Sequence, residues 1–336
     1  MKLLNFQSIP GGASWFGLVI DGNAIAFETL VRKSGKAGTG LADVYSYLDQ
    51  LPASEDAARE LQQYGEANIA SFTDVEKMSL EKIRILAPIA NPRVLIDFGL
   101  SPRHLANSAA TLLKHEFGFF GSLIAPLVRQ RIRASAGAKM LYVKGNHTAV
   151  IGDQDTIHWP AYSSYLDIEP ELALITGNEA RPIAGYTILN DSSARDVQFW
   201  EMIGTGPARS KDFHHSKGLG PFLVTPDEVG DPLALAVKVK IGERFAWQGS
   251  TSEYCAHPAK ALDYLKTVFL PPPGSVLGVG TIPDCTGLDN DLWINPGEQI
   301  EITFDKLGTL RQGMPTHLGK LEPSPWGYRE GLRAFY

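Results

Sequence analysis

The chain has 336 residues, enough for one large domain or a large domain with a smaller partner. Hydrophobic residues make up 44% and charged residues 20%, the balance of an ordinary globular protein, which argues against wholesale disorder and against a membrane protein. Net charge is −6, from 31 basic and 37 acidic residues, and the basic residues are scattered, which argues against a nucleic-acid partner.

The chain opens on Met1-Lys2-Leu3-Leu4-Asn5, without the apolar core of a signal peptide, and no apolar run approaches the roughly 18 residues that span a bilayer. A cytoplasmic protein is expected. Two strand-like runs come first, Lys2 to Gln7 and Trp15 to Phe27, the second broken by the turn signal Asp21-Gly22-Asn23. Helical patterns follow over Ala42 to Leu51 and Ser54 to Ala70, with Ser54 as a candidate N-cap. The Pro-punctuated stretch Ile85 to Pro92 then suggests a boundary, with a small N-terminal α/β domain over 1–88 and a larger domain over 89–336.

Short apolar runs separated by Gly and Pro turns follow: Val94 to Phe98, Met140 to Val143, Leu172 to Thr176, Ile183 to Leu189, Leu233 to Ile241, Ser275 to Val279 and Gln299 to Phe304. So many short strands predict a β-rich roll or sandwich of the α+β class rather than repeating βαβ units. Within this larger domain, helices are expected only at Pro102 to Phe117, Phe119 to Arg133 and Ala259 to Leu265. Cys255 and Cys285, without C-x-x-C spacing, read as reduced thiols. His214-His215 reads as solvent-exposed polarity, and the aromatic-rich stretch Trp326 to Tyr336 as a packing or dimer-contact tail.

The most informative stretch is Asp167-Ile168-Glu169-Pro170-Glu171-Leu172. If it begins a strand, Glu169 and Glu171 share a face, and two carboxylates held together repel unless a cation lies between them. Hard divalent cations want such oxygen ligands, although a bare pair of this kind is more often a solvated strand face. A second stretch, Asn190-Asp191-Ser192-Ser193-Ala194-Arg195-Asp196-Val197-Gln198, follows a strand-like run. It offers one more acid, with Arg195 and Gln198 as donors to an oxyanion, or alternatively an N-cap at Asp191.

These two runs, with Lys211-Asp212-Phe213, Gly218-Leu219-Gly220-Pro221, Gly278-Val279-Gly280-Thr281 and Pro296-Gly297-Glu298 after them, resemble the fumarylacetoacetate hydrolase family in motif and order. Upstream, Asp97-Phe98-Gly99-Leu100-Ser101-Pro102-Arg103-His104 resembles the segment in which the fumarylacetoacetases carry an Asp ligand shortly before a catalytic His. The resemblance implies a mixed β-sandwich roll and a homodimer. It also implies a divalent metal site of Asp97, Glu169, Glu171 and Asp191, taking Mg²⁺, with Ca²⁺ or Mn²⁺ as alternatives.

It further implies hydrolysis of a carbon–carbon bond in a small oxo acid, β-diketone or acylpyruvate through a metal-stabilised enolate, with His104 activating a water. The family orients this His with a Glu before a Trp; here Asp289 stands in that place before Trp293, with Asp291 as a rival. Lys211, Arg195 and Gln198 are implied donors to the developing oxyanion or a substrate carboxylate, with Lys217 a rival for Lys211, and Thr281 is placed at the pocket wall. The family's G-Y-H-G-R stretch is replaced by Leu141-Tyr142-Val143-Lys144-Gly145-Asn146-His147, which points to a different substrate and offers Tyr142 and Lys144 as pocket residues. Decarboxylation, isomerisation and hydration or dehydration share the enolate and remain open. So does a catalytically silent binding or scaffold protein.

Overall fold

A computed structural model describes residues 1–8, 12–135 and 140–335. Tyr336, the last residue of the aromatic tail, lies outside them. The protein is of mixed α+β class and sheet-rich. Its large sheet runs, from one edge, through Met78–Ser79, Asn23–Ala26, Ser14–Ile20, Lys2–Gln7, Lys217–Val224, Ile183–Asp191, Pro170–Thr176, Val276–Thr281, Leu95–Phe98 and Tyr142–Lys144. A smaller sheet joins Phe245–Ser250, Ala236–Ile241, Gln299–Phe304 and Gly308–Gly313.

Burial separates the two sheets. Pro170–Thr176, Lys217–Val224 and Val276–Thr281 are buried at every position, because both faces of the large sheet are covered. Leu172 and Leu174 enter one apolar core, while the alternate Ala173 and Ile175 enter the other. Ala236–Ile241, by contrast, alternates exposed and buried residues, the mark of a sheet with one wet face. Residues 1–88, read as a small N-terminal domain, add strands to the large sheet: Leu3 pairs with Leu223. Their Leu18, Ile25, Tyr47 and Leu61 share a core with Ala173, Leu219 and Val276.

The expected hairpin forms at Asp21-Gly22, both with positive φ (47° and 73°), closing Ile20 against Asn23. Phe27, expected to end a strand, instead begins the helix Phe27–Ser34. Ser54 is not a cap: it lies inside Ala53–Asn68 and its hydroxyl donates to the Tyr47 carbonyl at 2.5 Å. Residues Pro102–Ser135 form two helical runs broken at Gly118 (φ 55°, ψ −123°), a conformation only glycine adopts cheaply, which matches the expected break between Phe117 and Phe119. Lys217–Val224 was not among the expected strands; its Gly218, Gly220 and Pro221 are residue types that weaken a strand interior. No described helix is long and apolar enough to cross a membrane.

Candidate functional site

Sheet register brings the chemistry together. Asp97 lies in Leu95–Phe98 opposite Gly278, where an added Cβ would sit 2.4 Å from Glu171 Oε2, so glycine leaves the room that carboxylate needs. Asp191 ends its strand directly opposite Lys217, and cross-strand partners share a face. Glu171 stands opposite Thr281 in the same way. Glu169 immediately precedes the strand Pro170–Thr176.

Carboxylate oxygens of Asp97, Glu169 and Asp191 lie within 4.8 Å of one another. Lys211 reaches among them: its Nζ is bonded to Glu169 Oε2, is 2.6 Å from Asp191 Oδ2 and is 3.5 Å from Asp97 Oδ2. The ammonium occupies a place where a metal cation would meet the same oxygens. Glu171 is buried but is not part of this group; its carboxylate accepts from the Gly280 amide at 3.2 Å and from Thr281 Oγ1 at 3.1 Å. Lys217, the rival of Lys211, is equally engaged, with Nζ bonded to Asp191 Oδ1.

Arg195 is wholly buried and holds the segment before Pro170 in place: Nη1 is 2.6 Å from Glu169 Oε1 and Nε is 2.9 Å from Asp167 Oδ2. The Gln198 side-chain oxygen accepts from the same Nη1 at 2.9 Å. Asp167 also accepts from the amides of Ile168, Gly287 and Leu288 at 2.8, 2.7 and 2.9 Å. It therefore ties the acid run to the short helix Gly287–Asn290, which carries Asp289.

His104 is buried, with Nδ1 3.0 Å from Asp289 Oδ1 and Nε2 3.5 Å from Glu169 Oε1. Asp291 turns away, because it leaves the helix in the left-handed region (φ 54°) and pairs with His115 at 2.7 Å and with Lys114. The sequence reading missed Ser108, whose Oγ is 3.2 Å from His104 Nε2; the i, i+4 helical spacing is the signal that could have found it. Tyr142 and Lys144 are not brought to the acids. In the ladder Val143 is the partner of Asp97, so Tyr142 and Lys144 point to the opposite face, where Tyr142 packs on Phe98 and Lys144 lies over Phe269. Two surface clefts, of about 400 and 340 Å³, are lined by none of these residues; the converging chemistry locates the site.

The site is short of positive charge: the six carboxylates of Asp97, Asp167, Glu169, Glu171, Asp191 and Asp289 face three permanent cations, Arg195, Lys211 and Lys217. Burial works against the charge of Glu169, but Lys211 and Arg195 outweigh it and hold the carboxyl well below its ordinary range. Glu171, buried and beside Asp97, is pushed well above it. Asp97 is raised to about 7 by burial and by Asp191 and Glu169, against the pull of Lys211. Burial alone would lower His104, but Asp289 and then Glu169 push it up to about 9. An all-oxygen donor set with this anionic excess suits a hard divalent cation.

A family model described as Fumarylacetoacetate (FAA) hydrolase C-terminal matches residues 122–314, more than half of the chain. The chain belongs to the fumarylacetoacetate hydrolase family. Among its relatives is the 2,4-didehydro-3-deoxy-L-rhamnonate hydrolase of a Sphingomonas species, 29% identical over 193 residues, covering 54% of this chain and 67% of the relative. The oxaloacetate tautomerase fahd2, mitochondrial, of Xenopus laevis is 24% identical over 328 residues, 92% of this chain and 89% of that one. In fold the chain resembles the maleylpyruvate hydrolase of Sphingobium sp. SYK-6, solved with manganese(II) ion and pyruvate, at TM-score 0.63 and 18% identity over 94% of this chain and all of that one. Members of this family act as hydrolases, tautomerases and related enzymes of small oxo acids, and this chain is an enzyme of that family.

Proposed function

We propose that the protein is a metal-dependent hydrolase that cleaves a carbon–carbon bond in a small β-diketone, diketo acid or acylpyruvate-like substrate. The observation that carries this reading is the His104–Asp289 pair, with Nε2 of His104 turned toward the acid group. Asp289 Oδ1 accepts from His104 Nδ1, which fixes the tautomer and leaves Nε2 to take a proton from water. That proton's departure leaves hydroxide to attack the carbonyl carbon. The scissile bond's electron pair then passes to the departing enolate, and a proton returns to its carbon.

Asp97, Glu169 and Asp191 would hold the cation, Mg²⁺ or a related ion; bound there, it would polarise the substrate's paired oxygens and relieve the anionic field that keeps His104 protonated. Lys211 and Lys217 would meet a substrate carboxylate or the developing oxyanion, while Arg195 and Gln198 keep Glu169 aimed. Thr281 would hold Glu171 at the wall. A homodimer in the cytoplasm fits this reading. A relative matched over 92% of this chain is an oxaloacetate tautomerase, and a pair that moves one proton also serves keto–enol exchange, so tautomerisation of an oxaloacetate-like acid is the second reading.

Acylpyruvates, fumarylacetoacetate and oxaloacetate should be assayed with Mg²⁺ or Mn²⁺, with products identified and His104→Ala in parallel. Carboxylic-acid products that vanish in His104→Ala are expected. Enol–keto exchange without bond cleavage would replace hydrolysis by the second reading, and full activity in His104→Ala would end both.

A further inference from the structure

The family match ends at residue 314, and beyond it residues 315–335 form a tail laid against the body of the protein. The tail is anchored. Leu332 is fully buried and the Glu322 amide donates to the Ala161 carbonyl at 2.7 Å, while within the tail the Leu318 amide donates to the Phe335 carbonyl at 2.8 Å and closes it on itself. Between these anchors, Trp326 and Arg329 reach inward. Trp326 Nε1 donates to Glu116 Oε1 at 2.8 Å, and its ring stacks on His115 with centroids 4.4 Å apart. The same indole meets Tyr165 at 5.2 Å and Trp293 at 5.7 Å.

Arg329 Nη2 donates to the Trp293 carbonyl at 2.9 Å and to Asn295 Oδ1 at 2.6 Å, and Nη1 donates to the Ser164 carbonyl at 3.3 Å. These acceptors are neutral oxygens on two separate segments. A planar guanidinium that bonds both at once sets the distance between them.

Every one of these contacts falls on a segment that leads into the site. His115 and Glu116 lie near the far end of the helical run that begins at Pro102 and carries His104 in its first turn. Ser164 and Tyr165 precede Asp167 and Glu169, and Trp293 lies four positions after Asp289. The His104–Asp289 bond, at 3.0 Å, spans two of those segments, and such a bond weakens steeply when its supports shift.

We propose that Trp326 and Arg329 are positioning residues, a C-terminal clamp in which Trp326 fixes the spacing between the helix bearing His104 and the segment that follows the short helix bearing Asp289, and Arg329 fixes that segment against the run leading to Asp167 and Glu169. The clamp's effect on turnover rests on the reading of that pair as the proton-moving groups. Its effect on local order does not.

The test uses the full chain with Mn²⁺ and four variants: Trp326→Ala, Trp326→Phe, Arg329→Met and Arg329→Lys. Hydrogen exchange of peptides covering residues 287–292 should quicken about ten-fold in Trp326→Ala and Arg329→Met, with the strands Ala236–Ile241 and Gln299–Phe304 within about two-fold of the parent. On the compound the parent turns over, kcat should fall about ten-fold while KM and Mn²⁺ affinity stay within about two-fold, and Trp326→Phe and Arg329→Lys should recover part of the loss. Unchanged exchange at 287–292, acceleration spread equally through those strands, or a rise in KM with kcat intact would overturn the clamp. Should the parent turn over none of the compounds, the proposed function falls, and the exchange result still decides the clamp.

Discussion

Asp167→Asn tests how the site is held. The wild-type carboxylate is fully buried and takes four hydrogen bonds: Ile168 and Gly287 amides on Oδ1, and the Leu288 amide and Arg195 Nε on Oδ2. An asparagine keeps the shape but replaces one acceptor oxygen with a donor, so two of these four donors lose their partner. Arg195 also loses one of its two carboxylates. Breaking a buried ion pair by removing one partner costs about 3–5 kcal/mol, and a buried amide left unbonded about 1–3 kcal/mol. Because the terms share one side chain they do not add, and about 4 kcal/mol is expected. For a chain of this size that is a melting point lower by roughly 8 °C, at about 2 °C per kcal/mol. Thermal and urea unfolding would measure it, with Asp155→Asn, a part-exposed partner of Arg84, as the control expected to lose about 1 kcal/mol or less. A loss under about 1 kcal/mol in Asp167→Asn would refute the view that this side chain ties the acid run to the Asp289 helix.

Glu169→Gln should weaken Mn²⁺ binding in calorimetry by more than the roughly 10–100-fold typical of losing an outer-sphere partner, since it removes one of three converging acids. Undiminished binding would place the metal elsewhere. Asp291 is held at about 2, below its ordinary value of 3.8, chiefly by its bond to His115, and burial opposes this. A lowered carboxylate stabilises the fold above its unfolded value and loses that contribution as pH falls from about 4 toward 2, so Asp291→Asn should cost about 1 kcal/mol at pH 7 after allowance for its exposure. The gap between variant and parent should narrow in unfolding curves below pH 4; a gap constant from pH 7 to 3 would contradict the ion-pair origin. Gly118→Ala meets no atom within 4 Å, so its cost should be backbone strain alone, about 1–3 kcal/mol in urea unfolding, and a neutral result would mean that the helix break does not need this conformation.

What the sequence could reveal depended on whether the cause was local. The break at Gly118 and the hairpin at Asp21-Gly22 follow from single residues and were legible. Asp97, Glu169 and Asp191 were legible as an ordered set of motifs, and the structure gathers them. Register was not. Tyr142 and Lys144 looked like pocket residues until the ladder put Val143 opposite Asp97, and a shift of one position moves a side chain to the other face. Lys217 could be named only as a rival to Lys211, because its pairing with Asp191 depends on a strand whose glycines and proline are residue types that weaken a strand interior. Asp167 was visible in its run, but its partners Gly287 and Leu288 come from 120 and 121 residues further along the chain.

Charge explains why these distant contacts matter to the chemistry. Three of the six acids have a permanent cation in direct contact, Asp167 and Glu169 with Arg195, and Glu169 and Asp191 with lysines, while Asp289 meets His104. Asp97 and Glu171 have no such close cation, and they are the two whose carboxyls are driven upward. The same field raises His104, which is charged most easily where anions are in excess. A single added positive charge among Asp97, Glu169 and Asp191 therefore acts on all of them together: it favours the ionised form of Asp97 and frees His104 to give up its proton. A cation held there would in this way be linked to the protonation state of His104, with Asp289, 3.0 Å from its Nδ1, keeping the imidazole in place.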